Sequence, residues 1–143
     1  MSAKHSESER WVMGLAIAAG VALLVIGIRF LVVPEQAAHF FGLSRPPQAF
    51  DLHHVVALRD LWLALILMAL AALREWRALA ICLALGALVC FGDSAIVASS
   101  SGNPAAIGFH LASGLYCGAL AVAAWRLGRP FGKPGEPGNP GKG

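Results

Sequence analysis

Five ionisable residues stand where the chain is otherwise apolar: Arg29, Arg59, Asp60, Asp93 and His110. A charge at the centre of a membrane helix costs roughly 2.5–3.5 kcal/mol, so residues of this kind turn toward a protein interior and pair. Asp93 and His110 are an acid–base couple by type, because an imidazole exchanges protons near neutrality and a carboxylate can take one up. The two arginines can hold an acidic or carbonyl oxygen. His53 lies seven residues before Asp60 and shares its helical face, which would extend the set toward water. The expected ligand-binding residues are therefore Arg29, Arg59, Asp60, Asp93, His110 and His53, with Asp93 and His110 the catalytic candidates.

No metal is expected. His53 and His54 are neighbours that diverge by about 100° around a helix, and no apolar run holds His-x-x-x-His or Glu-x-x-His. No cofactor is expected either, since the chain has no Gly-rich phosphate loop, nucleophile elbow or Cys-x-x-Cys pair. Cys82, Cys90 and Cys117 are separated and odd in number, which suits small packing residues better than a disulfide framework.

The elements that must position these residues follow from composition. Of 143 residues, 57% are hydrophobic and 13% charged, whereas a soluble domain carries about 25% charged residues. A small soluble domain could not hide that much hydrocarbon, because small domains bury the smallest fraction of their surface. Secreted disulfide scaffolds, disordered tails and ordinary cytosolic enzymes are excluded, and the net charge of +3 is read as a topology signal rather than a nucleic-acid surface.

Four apolar runs, at about residues 11–33, 55–73, 78–98 and 105–125, are long enough to cross the roughly 30 Å of bilayer hydrocarbon as helices. The expected fold is all-α, a polytopic up-down bundle of four membrane helices over residues 11–126. Residues 1–10 form a leader with charges of both signs, so the first run reads as a retained helix rather than a signal peptide. In the first loop, Pro34 through Phe41 with Gly42 as a stop predicts a short interfacial helix, and Pro46-Pro47 could start the second helix early. Asn103-Pro104 is an N-cap and first-turn pair for the fourth helix. Residues 127–143 form a Gly/Pro-rich flexible tail.

Eight Lys and Arg fall on the side of the termini and second loop, against Arg45 alone on the other. This places both termini in the cytoplasm of a cell whose inner membrane the chain spans. At about 1.5 Å per residue, the ionisable groups of all four helices then reach one layer, roughly 6–10 Å outside the midplane. Arg59 and Asp60 point about 100° apart and should address different neighbours. The expected pairs are Asp60 with Arg29 and Arg59 with Asp93, with His110 closing the ring against Asp93. Small residues support close packing: Ala16-x-x-x-Gly20 in the first span and Gly114-x-x-x-Gly118 in the fourth.

Pro34-Glu35-Gln36-Ala37-Ala38 leading to Phe41-Gly42-Leu43, Arg59-Asp60 opening the second span, Asp93 late in the third and His110 early in the fourth carry a resemblance. The chain resembles the small four-helix bacterial and fungal membrane proteins grouped as a family of unknown function and, more distantly, DoxX-like proteins. The likeness covers residues 14–125. It implies the four-helix fold and, through DoxX-like relatives, an association with redox membrane complexes; it carries no functional residue over.

The leading expectation is a membrane protein that binds a small amphiphilic or apolar molecule in an outer-side polar pocket, as a carrier or accessory subunit. One alternative is a small membrane enzyme using Asp93 and His110 for isomerisation, hydrolysis or redox-associated chemistry. Another is a structural subunit, in which two Arg and two Asp form a neutral network that only fixes helix register. Membrane lipids are the expected surroundings, nucleic acid is not a partner, and assembly as a homo- or hetero-oligomer stays open.

Overall fold

In the computed structural model, residues 2–43 and 51–128 are described, with side chains at 6–43 and 52–128. Five helices follow in order: α1 Ser2–Val32, α2 Pro34–Phe41, α3 Asp51–Ala72, α4 Trp76–Ser100 and α5 Pro104–Leu127. Among the described residues there is no strand. Four helices contain apolar spans, Ser6–Val32, Leu52–Ala72, Trp76–Ser100 and Pro104–Leu127. The protein is an all-α, multi-pass membrane bundle.

Only 22–28% of the residues in the most apolar windows are buried. Val25, Leu65, Leu88 and Leu115 lie exposed around the outside. In water that surface would be untenable; in a bilayer, lipid tails cover it at no cost. The Arg45-Pro46-Pro47 segment and the Gly/Pro tail fall at 44–50 and 129–143, outside the described residues. The helix of α1 runs back through the leader to Ser2, and α3 starts at Asp51, ahead of the run that begins near residue 55. His53 and His54 are thereby helical.

Polar contacts gather one end of the bundle. Arg74 reaches Glu9 at 3.7 Å, and the Arg77 Nε–H donates to the Gly128 carbonyl at 3.0 Å. The start of α1, the α3–α4 turn and the end of α5 therefore sit together, and we call this the terminal end. The opposite end carries α2.

The bundle is built from two tight helix pairs, α1 with α3 and α4 with α5, which meet each other more sparingly. Glycine sets the first seam. A Cβ on Gly20 would come within 3.2 Å of the Ala64 carbonyl, and one on Gly27 within 3.1 Å of that of Ala57. Backbones approach this closely in a membrane because packing, not water exclusion, holds helices together. In the second pair the Gly114 position is filled by the Phe91 ring, 2.8 Å from where a Cβ would stand, while Gly118 faces open space. Only the first glycine of that motif makes the helix contact.

Between the pairs, the Tyr116 hydroxyl donates to the Leu15 carbonyl at 2.8 Å. Tyr116→Phe is expected to cost about 0.5–1.5 kcal/mol, read as a lower thermal midpoint in detergent; an unchanged midpoint would show that this bridge contributes nothing.

The core divides by composition. Toward the terminal end Val12, Ala16, Leu67, Ala71, Leu79 and Leu83 are among a purely apolar buried cluster. Toward the α2 end the buried cluster is Phe30, Ala37 and Ala57, and the polar residues lie beside it. Proline at its first position and Glu35 in its first turn start α2, and Gly42 ends it with φ 101°. The Leu43 N–H reaches back to the Ala38 carbonyl at 3.1 Å and the Gly42 N–H to that of His39 at 3.1 Å, a Schellman ending.

Candidate functional site

The polar residues of α3, α4 and α5 come to one level. Asp60 is nine residues into α3, Asp93 seven before the end of α4 and His110 six into α5, so each lies roughly 9–14 Å below its helix end. Asp60 and His110 are buried, and Arg59 and Asp93 are half-buried. Asp93 stands within electrostatic range of His110, Arg59 and Asp60.

His110 is positioned by the way α2 ends. The Schellman turn satisfies the Ala38 and His39 carbonyls and leaves that of Phe41 without a backbone partner among the described residues. The Nε2 of His110 lies 3.1 Å from the Phe41 oxygen. A carbonyl only accepts, so Nε2 carries the proton and donates; in the neutral ring, Nδ1 is then the acceptor. The ring is held further by Phe41, with centroids 4.5 Å apart, and by Phe109 at 5.6 Å. Gly42 itself lies against Ala106 and Val97, which brings the end of α2 down onto α4 and α5.

The expected pairings are corrected in two places. Arg59 and Asp60 do not turn to different neighbours: the Arg59 Nε donates to Asp60 Oδ1 at 3.0 Å. Their Cα–Cβ bonds do diverge, but the long arginine stem folds back onto the neighbouring carboxylate. The pair uses only Nε. The Arg59 side chain stays 42% exposed against 7% for Asp60.

Arg29 is the second correction. It lies in the last turn of α1, is exposed, and stacks over the Phe40 ring at 5.3 Å rather than pairing with Asp60. A guanidinium three residues from a helix end can extend to the interface, and the face of an aromatic ring is a favourable place for it. Phe40 in turn packs edge-on against Phe109 at 5.9 Å. His53 also differs from expectation. It is buried, 3% exposed, with its ring 6.0 Å from that of Phe30, and so lies within the bundle instead of lining a route to water.

With Arg29 outside it, the layer holds, among the described residues, one guanidinium against two carboxylates, plus an imidazole. Such a set can bind a group that donates hydrogen bonds or carries positive charge, and it can hold a proton. Sequence reasoning missed Ser94, which is buried and whose hydroxyl points to the Ile107 carbonyl at 3.5 Å; its position beside Asp93 was the available signal. It also missed Phe41, whose role rests on a backbone oxygen. Of the two described cavities, one of about 490 Å³ lies between α4 and α5 at the terminal end, lined by Ala80, Ala121, Trp125 and Arg126 among others. The other lies along Val33–Gln36. Neither touches the polar layer. Among the described residues there is no group of three or more metal-ligating side chains.

Residues 20–126 match the family described as a domain of unknown function, DUF4267. No curated protein matches the chain, and no solved structure does. The match covers well over half of the sequence, and the chain belongs to that family.

Proposed function

We propose that this DUF4267 member binds a small amphiphilic molecule from the bilayer, with the headgroup at the layer of Arg59, Asp60, Asp93 and His110, as a carrier or accessory subunit. The observation that carries the reading is the half-buried Asp93 carboxylate, in range of a histidine and an arginine whose terminal amino groups are not used by the Asp60 pair. Intramembrane ionisable residues are expensive and are kept where something is bound or moved. The apolar walls would take the remainder of the molecule. The chain would lie in the inner membrane with both termini cytoplasmic, supported by eight basic residues on that side against one.

The excess of carboxylate over guanidinium favours an alcohol or amine headgroup over an acid. Purified protein in detergent should bind a long-chain amine or alcohol at least about tenfold more tightly than the fatty acid of equal chain length, a difference of about 1.4 kcal/mol. Tighter binding of the fatty acid would overturn the reading. In the structural-subunit reading the Arg59–Asp60 pair serves only to fix helix packing. That reading predicts that no probe binds there.

A further inference from the structure

The cavity of about 490 Å³ in the α4–α5 seam is built by small side chains: Ala80 and Ala84 line it from α4, and Ala121 from α5. Ile81 and Val122 also line it and are themselves exposed, so it is a groove open sideways to lipid. It reaches from the terminal end as far as Ala84, which lies roughly 12 Å along α4 from its start. Arg126 is the one charged residue in its wall. Helical side chains tilt toward the start of their helix, which lays Arg126 over Val122, one turn before it on α5, and brings it onto the groove. Trp125 lines the same mouth, with an amphipathic ring of the kind that settles at headgroup level. Arg77 stands one turn before Ile81 on the same face of α4. Its Nε is tied to the Gly128 carbonyl, and that bond does not use its two terminal amino groups. Among the described residues neither Arg77 nor Arg126 is in an ion pair.

We propose that this groove binds one anionic phospholipid, with an acyl chain along Ala80, Ala84 and Ala121 and the phosphate held by Arg126, Arg77 being the second cation. Charge selects the occupant. A guanidinium matches phosphate oxygens with paired N–H donors, and a basic pocket between membrane helices at the headgroup level is the arrangement that recognises acidic lipid headgroups. A zwitterionic phospholipid brings the same phosphate with an ammonium that opposes two arginines. A second copy of the chain fits poorly, because two-fold related copies in one membrane would meet through the same patch and set Arg126 against Arg126 at one depth. The groove lies at the terminal end and the polar layer toward the α2 end, so the proposal does not rest on a ligand at that layer. The two occupants are told apart by mass and by dependence on Arg126 or on Asp93.

The test uses the full-length protein in phosphatidylcholine vesicles, with tryptophan fluorescence quenched by lipids brominated on their acyl chains. Half of the quenching assigned to Trp125, taken as the difference from Trp125→Phe, should need about fivefold less brominated phosphatidylglycerol than brominated phosphatidylcholine, the factor that one arginine near an acidic headgroup supplies. Unlabelled phosphatidylglycerol should relieve the quenching, and inorganic phosphate in excess should not. Arg126 is exposed, so Arg126→Gln should keep the wild-type helicity by circular dichroism and lose the preference for the acidic lipid. Equal quenching by the two lipids in the wild-type protein would overturn the proposal without recourse to any variant. So would a preference that survives in Arg126→Gln, or relief by inorganic phosphate. Cross-linked dimers with Trp125 shielded from both lipids would put a second copy in the groove and overturn it as well. Failure of amphiphile binding at the polar layer would leave this result untouched.

Discussion

Gly42→Val is expected to destabilise the protein by about 2–4 kcal/mol and to release α2 from the bundle. Gly42 has φ 101°, a left-handed conformation that a β-branched residue adopts only under strain. Its surroundings are closed as well: a Cβ would come 2.7 Å from the Ala106 Cβ and 2.8 Å from Val97 Cγ1. Neither neighbour is the loose end of a flexible side chain, so the end of α2 must lift. Lifting α2 withdraws the Phe41 carbonyl from His110, which then loses the bond that fixes its proton on Nε2. The thermal midpoint should fall, and the His110 ring resonances should shift in NMR spectra of imidazole-labelled protein. A midpoint within error of the wild type would mean that α2 is not seated on α4 and α5 as described.

Asp60→Leu should cost on the order of 2–3 kcal/mol, because it strands the Arg59 guanidinium in the apolar span without its carboxylate. The loss is tempered by the exposure of Arg59, which can extend along the outside of α3. Removing both charges, as Arg59→Leu with Asp60→Leu, should recover most of that stability, since an apolar pair replaces an ion pair in lipid with little penalty. The double variant separates two roles. If the pair serves only to fix packing, the recovered fold is the whole outcome; if the layer binds a headgroup, the refolded double variant should have lost it. Equal destabilisation of single and double variants would contradict the ion pair itself.

Some of this was legible in the sequence for a physical reason. Crossing hydrocarbon demands about 20 apolar residues with every backbone group bonded within the segment, so four helices are nearly forced by hydropathy alone. Pro34 and Gly42 mark the ends of α2 by backbone chemistry that no neighbour needs to supply. Asn103 caps α5 by accepting from the Ala105 and Ala106 N–H groups, again a local matter. The pairings in the layer were not legible in this way. Whether Arg59 turns to Asp60 or Asp93, and whether Arg29 goes inward or over Phe40, depends on side-chain reach and helix register. The partner of His110 is a main-chain carbonyl at a helix ending, which leaves no mark in side-chain identity.

In the proposed function, the layer formed by α3, α4 and α5 holds the headgroup of a bilayer-derived amphiphile. Native mass spectrometry of the protein released from detergent tests it most directly, with wild type and Asp93→Asn compared under identical conditions. Asparagine keeps the shape of the side chain and removes its charge, so the fold should persist and serve as its own control. A single retained amphiphile is expected on the wild-type chain, with its loss from Asp93→Asn at an unchanged thermal midpoint. A wild-type chain that carries nothing, or a variant that keeps the same adduct, would contradict it.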